Sequence, residues 1–107
     1  MTFKELLHFI EKEDERLAGC YDYPEKNKRV LARTVKLSEE VGELSSEVLA
    51  ECDLQRKDKL SGDRKGKIAE ELSDVLIVAL LLAKTLDIDV EKSLEAKIKK
   101  IEKRHGI

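Results

Sequence analysis

From Val75 to Ala83 the chain runs through nine residues without one polar side chain, the longest such stretch in the sequence. A membrane span needs ~20 residues of this kind, so the run does not cross a bilayer. No segment alternates apolar and polar residues for long, and helix formers dominate, so the run reads as buried helix. A helix apolar all round must be covered all round. A lone four-helix protomer leaves an outer face on each helix in water. The run therefore predicts that copies of the chain associate through it, as a dimer or a tetramer.

The rest of the chain divides into helices around it. Thr2 and Glu5 form a capping box, and Phe3, Leu6, Leu7, Ile10 and Leu17 make an apolar stripe that stops at Gly19. Tyr23 and Pro24 connect to a long second helix, roughly Glu25 to Gln55, with Pro24 placed to open it. Val30, Leu37, Val41, Leu44 and Val48 share one face of that helix. Leu31, Val35 and Leu49 form a second stripe about 100–140° away, so it packs on two sides. The polar Arg56–Gly66 segment reads as a loop, and a third helix covers roughly Lys67 to Thr85. Asp87 or Asp89 caps a fourth, whose stripe is Val90, Leu94, Ile98 and Ile101. The expected fold is all-α: a four-helix bundle-type protomer with a long second helix, one domain over residues 1–107.

Composition excludes several functions. The aromatic residues are Phe3, Phe9, Tyr21 and Tyr23, with no Trp, too few for a platform that stacks single-stranded nucleic acid. Charged residues make up 41% of the chain, yet the net charge is only −2. Such a balance attracts neither DNA nor an anionic membrane. Cys20 and Cys52 form no Cys-x-x-Cys and have no neighbouring His to complete a zinc site. They read as free thiols of an intracellular protein. The N-terminus is amphipathic rather than basic-then-apolar, which fits a soluble, cytoplasmic location.

The chemistry lies in paired carboxylates. Glu40 and Glu43 sit three apart in helix two, Glu71 and Asp74 three apart in helix three. Acids at this spacing share a helix face and can share a cation. Spacing alone proves little: chance predicts about five such pairs in so acidic a chain, and pairs also occur at 11/14 and 22/25. Placement separates the 40/43 and 71/74 pairs from these. Glu71 and Asp74 lead directly into the apolar run, where ionised carboxylates need a cation partner. Glu40 and Glu43 flank the main stripe of helix two, with Glu47 continuing the edge. Facing each other, the two pairs would suit a hard cation such as Mg²⁺. Lys36, one turn before Glu40, offers a competing explanation as a structural ion-pair partner. A di-iron site built on Glu5-x-x-His8 and Glu102-x-x-His105 is disfavoured. Both pairs lie near chain ends, and Glu5 and His8 point away from the first stripe.

The segments Lys36-Leu-Ser-Glu-Glu-Val-Gly-Glu-Leu44 and Glu70-Glu-Leu-Ser-Asp-Val75 resemble the MazG-like all-α nucleoside triphosphate pyrophosphohydrolases. The similarity continues through Leu86-Asp-Ile-Asp-Val-Glu91 and Lys97-Ile-Lys-Lys-Ile-Glu-Lys-Arg104, from roughly Leu31 to the C-terminus. It implies hydrolysis of a (d)NTP to a monophosphate and pyrophosphate, often in clearing non-standard nucleotides. It also implies a homodimer or a dimer of dimers. The residues it implies as Mg²⁺ ligands (Mn²⁺ being the alternative) are Glu40, Glu43, Glu71 and Asp74. Glu39 is the candidate to position or deprotonate the attacking water, and Lys97, Arg104 and Lys36 are candidates for the substrate's phosphates. The chain departs from the pattern near Lys97, where many members carry an Asn and this one has Glu95 and Ile101. No residue of the first helix singles out a base. A related phosphoribosyl-ATP pyrophosphohydrolase is the alternative enzyme, and a non-catalytic helical oligomerisation module the alternative of another class.

Overall fold

The computed structural model describes residues 1–20, 25–52 and 64–107. Among these it has four helices and no strand: α1 (Phe3–Cys20), α2 (Lys26–Glu51), α3 (Arg64–Thr85) and α4 (Val90–His105). Pro24, Gln55 and the segment 56–63 of the expected loop lie outside the described residues.

Several helix termini follow from local chemistry. At the start of α1 the Thr2 amide donates to Glu5 Oε1, and the Glu5 amide donates to Thr2 Oγ1, both at 3.1 Å. This reciprocal pair satisfies two donors that a helix start leaves open. Thr2→Ala is expected to cost about 1 kcal/mol, read as a small drop in melting temperature. Asp89 caps α4, its carboxylate accepting from the Lys92 amide at 3.1 Å. Asp87 serves the preceding helix instead. It takes a left-handed conformation (φ 56°), and the Ile88 amide reaches back to the Ala83 carbonyl at 3.0 Å, which closes α3. Its carboxylate also meets Lys26 Nζ at 2.8 Å, tying the end of α3 to the start of α2. That contact holds the Asp87 carboxyl below its usual range.

Most of the packing is α2 against α3, with α1 laid on α3. The two longer helices run antiparallel. Arg33 near the start of α2 meets Leu81 and Thr85 near the end of α3, and Glu47 near the end of α2 meets Arg64 at the start of α3. That last pair explains a correction: α3 begins at Arg64 rather than Lys67, so Gly66 lies inside a helix and not in a loop.

The core is small: Ile10, Val78 and Leu81. The apolar run of α3 is not covered all round. Val78 and Leu81 are buried, whereas Leu76 is 55% exposed. The second stripe of α2 is also open, with Leu31 and Val35 each 65% exposed. Along α4 every residue after Val90 is exposed, its stripe of Leu94, Ile98 and Ile101 included. The radius of gyration is 17.1 Å, against ~13 Å for a compact domain of this length.

Candidate active site

The acids of α2 and α3 meet midway along the packed pair. Glu40, Glu43 and Glu71 each place one carboxylate oxygen within 4.8 Å of the others. Glu40 is the buried member, at 6% exposure. Its Oε1 faces Lys36 Nζ at 3.2 Å. Glu40 Oε2 and Glu71 Oε2 are both buried and have no hydrogen-bond partner among the described residues. Two orphaned carboxylate oxygens in one acidic cluster are costly unless something positive meets them. Burial pushes the Glu71 carboxyl above its usual range, reinforced by the charges of Glu43 and Asp74. A cluster of hard oxygen donors with unsatisfied lone pairs fits a divalent cation such as Mg²⁺.

Asp74 stands beside this trio rather than within it. It is exposed, its charge acts on Glu71, and with Glu40 it lines a cavity of about 450 Å³ between α1, α2 and α3. Lys36 lines the same cavity. Its ammonium bridges Glu40 and, at 3.5 Å, Glu39 Oε2, and the hydrogen bond and charge of Glu40 raise its pKa. Glu39 itself is exposed and lies off the trio. Glu47, which continues the acidic edge in sequence, is neutralised by Arg64 and takes no part.

Lys97 and Arg104 are not brought to the acids. Both are exposed on α4, and no α4 residue lines the cavity. Away from Glu40 and Asp74 the cavity is lined by Phe9, Glu13 and Leu17 of α1, Arg29 and Arg33 of α2, and Ile77 and Leu81 of α3. Sequence reasoning missed Arg33 as a site residue. The available signal was its position, seven residues before Glu40 and hence on the same face of α2.

Residues 28–106 match the MazG nucleotide pyrophosphohydrolase domain. No curated protein and no solved structure matches the chain.

Proposed function

The chain belongs to the MazG nucleotide pyrophosphohydrolase family, and on that premise we propose that it hydrolyses a (d)NTP to the (d)NMP and pyrophosphate with Mg²⁺. The observation that carries this reading is the trio of Glu40, Glu43 and Glu71, with its two buried, unpartnered carboxylate oxygens. Glu40, Glu43 and Glu71 hold the cation, and Asp74 completes the set from the cavity rim. A Mg²⁺ ion held there would offset triphosphate charge and help activate a water. Glu39 orients the attacking water or takes its proton as the bond between the α- and β-phosphates breaks. Lys36, beside Glu40 and on the cavity wall, is placed to direct its ammonium to the phosphates. The apolar end of the cavity takes the base.

The reading includes self-association, as a dimer or a dimer of dimers. The open stripes of α2, α3 and α4 are where a second copy is expected to pack, and Lys97 and Arg104 then reach the phosphates through that assembly. Leu76→Glu places a charge on the open face of α3 without touching the core. It is expected to weaken association at least about a hundredfold, measured as a shift to monomer by light scattering across a dilution series.

The test of the reaction is product analysis over canonical and modified (d)NTPs with Mg²⁺. Monophosphate and pyrophosphate in equal amounts, dependent on metal, establish it. Inorganic phosphate as the product would refute it. No turnover of any triphosphate would move the assignment to phosphoribosyl-ATP. If that also failed, and metal left the melting temperature unchanged, the acids would be the polar seam of a non-catalytic module.

A further inference from the structure

Arg33 is held in an unusual way for a buried arginine. Its Nη1 alone meets Asp14 Oδ1 of α1 at 2.6 Å, the Leu81 carbonyl of α3 at 3.2 Å, and Thr85 Oγ1. Thr85 is itself buried, and its hydroxyl donates to the Leu81 carbonyl at 3.0 Å. Three helices thus fix one corner of the guanidinium. An arginine present only to pair with a carboxylate does best with a bidentate fork; here Asp14 is met by a single nitrogen. The Nε–H and both Nη2 N–H groups are left without a partner among the described residues, on a side chain only 11% exposed. Their nitrogens are not sealed from solvent, so these donors are open to whatever enters the cavity that Arg33 lines.

The location within that cavity matters. Arg33 lies two helical turns before Glu40 on the same face of α2, about 10 Å along the axis. With phosphates at the acids, this is the base end. The walls there, Phe9, Leu17, Ile77 and Leu81, suit a flat ring. A planar fork of N–H donors beside a ring edge pairs best with two adjacent acceptors. Guanine and hypoxanthine present O6 and N7 in this way, and cytosine presents O2 and N3. Adenine sets its amino group beside both N1 and N7, and uracil and thymine place N3–H between two carbonyls. Neither can fill the fork.

We propose that Arg33 is a specificity-determining residue that reads the nucleobase edge, selecting guanine-type and cytosine-type triphosphates over adenine and uracil ones. This rests on the pyrophosphohydrolase reading above, and Asp14 and Thr85 act as its positioning residues.

The substrate is the cleanest place to test it, because the protein then stays native. With Mg²⁺, GTP or CTP is expected to exceed ATP and UTP in kcat/KM by about tenfold to a hundredfold, the worth of one bidentate pair. Replacing the acceptor nitrogen by C–H, as 7-deaza-GTP or 3-deaza-CTP, is expected to remove about tenfold of that. Arg33→Lys keeps the charge but loses the fork, and should bring the ratios among the four bases close to one. A proportional loss on all four substrates would mean that Arg33 is purely structural. Deaza analogues turned over as well as their parents, or a preference for ATP or UTP, would also overturn the proposal. Should no triphosphate be hydrolysed, the parent reading fails on its own. Calorimetric binding of the same four nucleotides then decides Arg33: selective binding supports it, and equal binding or none refutes it.

Discussion

Replacing Glu71 by Gln is expected to lower kcat/KM on any triphosphate by about a thousandfold or more, while raising the melting temperature of the metal-free protein. The two effects share one cause. Glu71 is a half-buried carboxylate whose Oε2 has no partner among the described residues, and it faces the charges of Glu43, Asp74 and Glu40. Without a cation this is repulsion, and a neutral amide of the same shape relieves it. With a cation the same carboxylate is a ligand that the amide replaces poorly. Charge stabilisation at such a centre is worth several kcal/mol, and three decades of rate correspond to about 4 kcal/mol. An ordinary structural acid would show the reverse pattern, losing stability and leaving turnover intact. Steady-state kinetics and thermal melts on the same preparation separate the cases. Activity within a few-fold of the native protein would remove Glu71 from the site.

Saturating Mg²⁺ is expected to raise the melting temperature by about 10 °C or more. A ligand at a hundred times its Kd adds about 2.7 kcal/mol, and each kcal/mol moves a domain of this size by about 4–8 °C. The shift should depend on pH in a stated direction. Burial, aided by Glu43 and Asp74, lifts the Glu71 carboxyl above its usual 4.5 in the folded protein. The folded state therefore holds this proton more tightly than the unfolded chain does. Its contribution to stability is present at acid pH and is lost as pH rises through the folded pKa. Mg²⁺ competes with that proton, so its stabilising increment is expected to shrink as pH falls back through the same window. Glu13, lowered by Arg16, and Asp87, lowered by Lys26, act in the opposite sense and lose their contribution on acidification. Melts of the native protein and Glu71→Gln, with and without Mg²⁺ from mildly acidic to neutral pH, isolate the Glu71 component. An increment independent of pH would contradict this account.

Much of the fold was legible because it is encoded locally. The Thr2–Glu5 box, the Asp89 cap and the three-residue spacing of the acids each lie within one turn of helix, and each appears in the structure. The acid trio is one local pair on α2 and Glu71 from α3, whose meeting needed only that α2 and α3 pack. What escaped is what depends on distance along the chain. Arg33 looks like any lysine or arginine on a helix surface until Asp14, 19 residues before it, and Thr85, 52 residues after it, close around Nη1. Arg64 reads as part of a basic loop until Glu47 draws it into the first turn of α3. Lys97 and Arg104, candidates from the sequence, are brought to the cavity by nothing in α4.

The interface between α2 and α3 is at once the main packing surface of the protomer and the place where its like charges converge. Folding must therefore close the site in order to close the fold. Contacts formed in the transition state set the folding rate, whereas those formed later set the unfolding rate. If the helix pair is the nucleus, repulsion among Glu40, Glu43 and Glu71 is a barrier met on the way in. Neutralising one of them, or supplying the cation, then speeds folding rather than slowing unfolding, and the folding limb of a chevron plot would carry the change.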